Sequence, residues 1–200
     1  RIACAGAPRG AGTWATGRVD PRRDPGSTTI VQASTPLAGI VLVELGNSVA
    51  APYAGQILGD LGADVIKIER PDGDDARKWG PPFWEGAAPT FQALNRNKRS
   101  VVCELRDPAQ RAALKQLILD RADVVLQNIR PGYVETLGLG GPELVAAKPS
   151  LIYCNIGAFG RTGPFSTRPG YDPLMQAFGG IMSVTGEALP ATPLAFWPWV

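Results

Sequence analysis

The feature that most constrains this chain is a rhythm that begins at Gly39: short runs of nearly continuous apolar residues, each followed by a segment with helical spacing. The run over residues 39–45 is too short for a helix and too apolar for a half-exposed strand, so it reads as a strand covered on both faces. Gly46, Asn47 and Ser48 then turn the chain, and Pro52 suits the first turn of a helix. Tyr53, Ile57, Leu58 and Leu61 follow at near-helical spacing, with Gly62 as the stop. Residues 64–69 read as the next strand, which makes 39–69 one βαβ unit. Further strand signals fall at 101–105, 123–127 and 150–156. Asp107 followed by Pro108 is a strong helix start, an N-cap with proline at the first helical position, and that helix runs to about residue 121. Shorter helices are predicted at 89–94, 133–137, 142–147 and from Tyr171-Asp172-Pro173 to about residue 178. Five strands alternating with helices specify an α/β fold with a Rossmann-like, mostly parallel, doubly wound sheet and right-handed crossovers.

Composition narrows the chemistry. Among 200 residues, 44% are hydrophobic and 19% charged, which is enough apolar chain for one domain with its own core. No apolar run approaches the roughly 18 residues of a bilayer crossing, so no membrane partner is expected. The net charge is only +2, and Arg1, Arg9, Arg18, Arg22 and Arg23 all lie in the first 35 residues, so the remainder is slightly acidic and unsuited to nucleic acid. Histidine is absent, which excludes a Ser-His-Asp triad, a Cys-His dyad and a His-ligated metal within this chain. Cys4, Cys103 and Cys154 are far apart and odd in number, giving neither a disulfide framework nor a metal site. Cys103 and Cys154 fall in apolar strand-like runs and read as buried, inert thiols of a reducing, cytoplasmic compartment.

Three regions are expected. Residues 1–35 are rich in Ala, Gly, Pro, Arg and Thr without a period, and read as a poorly ordered extension; the Gly10-Ala11-Gly12 cluster follows no strand and is a decoy. Residues 36–187 form the folded domain, and 188–200 an atypical or truncated tail. Within the domain the Gly/Pro-rich stretch 70–89 carries Trp79, Phe83 and Trp84 and is expected to pack on something. A second such loop covers 157–170.

In a doubly wound sheet, ligands bind outside the carboxyl ends of the strands. Arg70, Arg106 and Arg130 follow strands two, three and four and would converge there, which suits a phosphorylated ligand. For each arginine singly, a solvated or cap-pairing role is an equal alternative. Gly46-Asn47-Ser48-Val49-Ala50-Ala51 stands where a dinucleotide loop would be, and no P-loop occurs, which argues against a nicotinamide-linked dehydrogenase or an NTPase. Asp172 suits the N-cap of the helix at Pro173, and as a functional group it would hydrogen-bond substrate.

An ordered set of motifs carries a resemblance. Residues 37–43, Ala50-Ala51-Pro52-Tyr53-Ala54 and 61–71 come first, then Asn95 to Ser100, and Asp123-Val124 with Gln127-Asn128 and Arg130-Pro131-Gly132. Gly160-Arg161-Thr162-Gly163-Pro164, Arg168-Pro169-Gly170-Tyr171-Asp172, Gln176-Ala177, Gly179-Gly180 and Ser183-Val184-Thr185-Gly186 complete the set. Together they resemble the class III CoA-transferases, the CaiB/BaiF family. The resemblance implies a CoA-binding domain, at the N-terminal part of an interlocked homodimeric fold, with a second, smaller domain elsewhere. It implies CoA or acyl-CoA as co-substrate, a free carboxylic acid as partner substrate, and no metal. CoA contacts would fall at Val49, Ala50, Arg70, Cys103 to Arg106, Asn128, Ile129, Arg130 and Tyr171, with Asp172 in an auxiliary role. The family's reaction runs through an aspartyl intermediate, and the corresponding aspartate would lie at or just past Val200, so this piece alone would be inactive. In the family's racemase branch, which inverts 2-methylacyl-CoA, a histidine precedes the counterpart of Asp172; here Tyr171 stands there, which argues against racemisation. A non-catalytic CoA-binding remnant is the other alternative.

Overall fold

Side chains alternate between the two faces of a strand, and here the alternation is apolar on both faces except at one end. A computed structural model describes residues 35–185; the expectations for the extension, the Gly10 cluster, Cys4 and the tail lie outside the described residues. β1 (Val41–Leu45) pairs with β2 (Asp64–Glu69), and β3 (Lys98–Val102) adds beyond β2. β4 (Val124–Gln127) pairs with the other side of β1, and β5 (Ile152–Asn155) follows it. The order is β3-β2-β1-β4-β5, and every pairing is parallel.

Two hydrophobic layers show that the sheet is covered on both faces. Val43, Leu45, Ile66, Ile68, Val101 and Val125 pack with Leu114 and Ile118 of α3 (Pro108–Arg121) and Leu144 of α5 (Gly141–Ala147). On the opposite face, Leu42, Val65 and Leu126 pack with Ala51 of α1 (Ala50–Asp60). α2 (Pro89–Leu94) precedes β3, α4 (Tyr133–Thr136) follows β4, and α6 (Asp172–Phe178) follows β5. The cap expected on α3 is present, with Asp107 Oδ1 accepting from the N–H groups of Ala109 at 2.8 Å and Gln110 at 3.4 Å.

Toward the carboxyl ends the α1 face turns polar. Glu44 and Lys67 are register partners and are 0% and 1% exposed. Lys67 Nζ lies 2.9 Å from Glu44 Oε1 and 2.8 Å from Asp74 Oδ2, and donates to the Gly46 carbonyl at 3.0 Å. Lys98 Nζ lies 2.8 Å from Glu44 Oε2 and donates to the Pro52 carbonyl at 2.6 Å and to Asn95 Oδ1 at 3.0 Å. Burial pulls the Lys98 ammonium down to about 8, against the opposing attraction of Glu44.

This polar end explains several departures from expectation. The third strand occupies Lys98–Val102, not 101–105, because Lys98 and Ser100 pair in register with Val65 and Lys67. Cys103 closes the ladder, donating to the Glu69 carbonyl at 2.8 Å, and residues 104–106 belong to the following loop. The helix read from Tyr53, Ile57 and Leu61 exists, but those three side chains are exposed, and the buried face is Ala51, Pro52, Gly55 and Gln56. Small residues are required there because α1 lies close over Glu44. Cys103 is buried as expected, whereas Cys154 is exposed on the outer strand β5. The loop of 70–89 contains a 3₁₀ turn at Asp75–Lys78, and its aromatics do not pack away: Phe83 is 56% and Trp84 65% exposed.

A Cβ on Gly55 would lie 2.1 Å from Glu44 Oε2, an atom already held by Lys98 and unable to yield. Gly55→Ala is therefore expected to lower stability by about 1–3 kcal/mol despite the better helix propensity of alanine, as measured by urea unfolding.

Candidate functional site

All five strands end on the same side, and a cleft of about 1510 Å³ opens there. The strand order reverses between β1 and β4, so the loops after these two strands face each other across the crevice. They are clasped by a reciprocal pair of amide bonds: Asn47 N donates to Asn128 Oδ1 at 2.9 Å, and Asn128 Nδ2 donates to the Asn47 carbonyl at 2.9 Å. In the β4 loop, Ile129 N donates to the buried Gln127 Oε1 at 2.7 Å.

The loop after β2 is tied to the same clasp. Asn47 Nδ2 donates to Asp75 Oδ2 at 2.6 Å, and Asp75 N donates back to Asn47 Oδ1 at 3.0 Å. Arg70 Nη2 reaches Asp75 Oδ1 at 2.6 Å. Burial opposes ionisation of Asp75, but the Asn47 and Arg70 hydrogen bonds outweigh it and hold the carboxyl below its ordinary range. One step below, Glu69 accepts a bidentate fork from Arg77 at 2.7 and 2.8 Å, together with Ser100 Oγ at 2.6 Å and Asp74 N at 3.0 Å. Burial opposes this carboxylate too, yet those donors bring it down to about 2. The Arg77 guanidinium also stacks 3.8 Å from the centre of the Phe91 ring.

The rim is completed from β5 onward. Phe159 and Phe165 meet Phe178 of α6 edge-on, with centroids 5.2 and 5.7 Å away, which folds the Gly/Pro-rich loop against α6. Arg168, Tyr171 and Asp172 thereby reach the cleft. Asp172 is the first residue of α6, and the cap position belongs to Tyr171, so the expected capping role is absent. Its Oδ2 instead accepts from Gln176 Nε2 at 2.5 Å, one turn along.

Every candidate site residue that the resemblance implies lines this one cleft: Val49, Ala50, Arg70, Cys103, Arg106, Asn128, Ile129, Arg130, Tyr171 and Asp172. The three arginines differ in state. Arg70 is paired with Asp75, while Arg106 and Arg130 are exposed, with no hydrogen-bond or ion-pair partner for their guanidinium groups among the described residues. Val49 and Ala50 form the amino end of α1, which no side chain caps. The Cys103 thiol is raised by burial and by the nearby Asp107 and Glu104 carboxylates, which keeps it from acting as a thiolate. Among the described residues no group of His, Cys, Asp or Glu side chains could hold a metal ion, and no helix is long and apolar enough to cross a membrane.

A family model described as CoA-transferase family III matches residues 37–198. The chain belongs to this family. Family members similar to it include the succinate–glutarate CoA-transferase of Agrobacterium fabrum, 44% identical over 80% of this chain and 42% of that protein. The succinyl-CoA:glutarate CoA-transferase of Homo sapiens is 42% identical over 76% of this chain and 34% of that protein. A crystal structure of a CAIB/BAIF family protein from Brucella suis superposes with a TM-score of 0.72 at 48% identity, covering 78% of this chain and 42% of that one. The chain thus spans less than half the length of the relatives it matches.

Asn47, Ser48 and Arg168, in the strand-end loops where ligands are expected, also line the cleft, whereas sequence reasoning left out Asp74 and Asp75, which line it too. The cluster Asp72 to Asp75 directly after a strand, facing Arg70 and Arg77 in a Gly/Pro-rich stretch, was the available signal for Asp74 and Asp75.

The Glu69 carboxyl takes up a proton near pH 4.5 in the unfolded chain but only near about 2 when folded. Between those values the unfolded chain binds more protons, so stability falls as pH is lowered through that window. Urea midpoints compared at pH 5.5 and 3 are expected to drop for the native sequence and to drop less for Glu69→Gln.

Proposed function

We propose that this chain supplies the coenzyme-binding part of an enzyme that moves CoA from an acyl-CoA thioester to a free carboxylic acid. The observation that carries this reading is the meeting of Arg70, Arg106, Arg130 and the uncapped amino end of α1 on one cleft in a member of CoA-transferase family III. Exposed guanidinium forks and free helix amides are complementary to phosphate oxygens. Arg106 and Arg130 would take the phosphates, with Arg70 held at the rim by Asp75, and the backbone of residues 128–130 would line the path of the pantetheine arm. Tyr171 and Asp172 stand where the reacting acyl group would emerge. The matched relatives act on succinyl and glutaryl groups by name, which supports a dicarboxylic acid as acceptor.

In the chemistry proposed, an aspartate outside residues 35–185 attacks the thioester carbonyl, expelling CoA thiolate and leaving a mixed anhydride. The thiolate attacks the aspartyl carbonyl and releases the first acid as its carboxylate. The acceptor carboxylate then attacks the aspartyl thioester, expelling CoA thiolate and forming a second mixed anhydride, and that thiolate attacks the acceptor's acyl carbon, releasing the aspartate as its free carboxylate. Carboxylate and thiolate serve as nucleophile and leaving group throughout, so no step needs a proton transfer and the described residues need only bind and orient. The whole protein would work as an interlocked homodimer in the cytoplasm. Racemisation is disfavoured by Tyr171, a phenol where an imidazole base would be needed.

CoA at a hundredfold excess over its dissociation constant is expected to stabilise the protein by about 2.7 kcal/mol, seen as a raised Tm. Absence of any shift at millimolar CoA would falsify the binding claim. Arg130→Ala is expected to raise KM for acyl-CoA about tenfold or more while leaving KM for the free acid nearly unchanged. Hydroxylamine added during turnover of the whole protein should trap one carboxylate side chain; deuterium uptake at the acyl 2-position without trapping would point to racemisation instead.

A further inference from the structure

One buried carboxylate belongs to neither the arginine rim nor the hydrophobic core. Asp74 is 3% exposed, and its two oxygens serve different neighbours. Oδ2 lies 2.8 Å from Lys67 Nζ, inside the buried charge cluster. Oδ1 accepts from Ser48 N at 3.0 Å and from Ala76 N at 2.9 Å. Asp74 therefore links a fixed ammonium group beneath the sheet end to the backbone of the loop that follows β1.

Ser48 is the residue on which that link acts. Its φ is 67°, in the left-handed region that costs a residue with a Cβ on the order of 1 kcal/mol or more. A second bond, from Ser48 N to Asn47 Oδ1 at 2.9 Å, supports the same conformation. Val49 and Ala50 come directly after it, line the cleft and open α1. If Ser48 relaxed to an ordinary φ, the chain entering α1 would change direction and those amides would turn away from the cleft.

We propose that Asp74 is a positioning residue for the coenzyme: charged and anchored by Lys67, it holds Ser48 left-handed and so keeps the amino end of α1 aimed at the anionic ligand. This rests on the CoA-binding reading above. The carboxylate is needed, not merely its shape. An asparagine must turn its NH₂ group either to the Lys67 ammonium or to the two backbone N–H groups, and both choices set donor against donor.

Calorimetric titration of the whole protein with CoA tests this. Asp74→Asn is expected to weaken CoA binding about tenfold. Adding Ser48→Gly to that variant should recover most of the loss, because glycine adopts a positive φ without help. Ser48→Val, which disfavours that φ while leaving the Lys67–Asp74 pair intact, should weaken CoA to a similar degree, and it decides the matter if Asp74→Asn does not fold. Native protein that binds no CoA would overturn the coenzyme reading itself. Native protein that binds CoA, with Asp74→Asn and Ser48→Val binding equally well, would overturn only the role of Asp74. So would a loss in Asp74→Asn that Ser48→Gly leaves uncorrected.

Discussion

The Glu44 carboxylate, held between Lys67 and Lys98 beneath α1, is the interaction on which the rest of the structure depends. A lone charge at 0% exposure would be prohibitively costly, and only its close ammonium partners make it tolerable. Removing one partner from such a group costs about 3–5 kcal/mol, so the arrangement is all or nothing. Its members come from β1, β2 and β3, and Lys98 also bonds to a carbonyl in the first turn of α1. Through Asp74 the same charges reach the loop after β2. The polar end of the sheet and the floor of the cleft are thus one electrostatic unit.

A second layer of hydrogen bonds lies above these charges. The Asn47–Asn128 clasp joins the loops on either side of the point where strand order reverses, and Asp75 joins Arg70 to that clasp. Loops at a strand end are ordinarily the mobile part of an α/β domain. Here the side chains bind one another before any ligand arrives, which lowers the ordering cost of binding. Family membership and this pre-formed crevice support each other, since the matched segments are those that build the crevice walls.

The fold class was legible because fully covered strands announce themselves as apolar runs: β2, α2 and the capped α3 fall where composition and spacing place them. The rim arginines were legible because their positions follow from strand ends alone. What escaped was chemistry requiring partners distant in the chain. Lys98 and Ser100 look like loop residues until Glu44 and Glu69, more than thirty positions earlier, are placed opposite them. Likewise the large apolar residues of α1 suggest the wrong buried face, because helical spacing cannot reveal that the surface beneath is polar and close. Asp172 fitted the cap rule, yet the helix begins one residue earlier than that rule requires.

Gly55 and Gly59 weaken α1 as an isolated helix, by about 1 kcal/mol each relative to alanine. In return the helix backbone comes down onto the sheet's own side chains, with Gly55 over the Glu44 carboxylate and Gly59 beside Val65. The level of the crevice base is then set by a carboxylate that two ammonium groups hold in one place. Residues around the mouth are free to diverge while the seat beneath stays at constant depth.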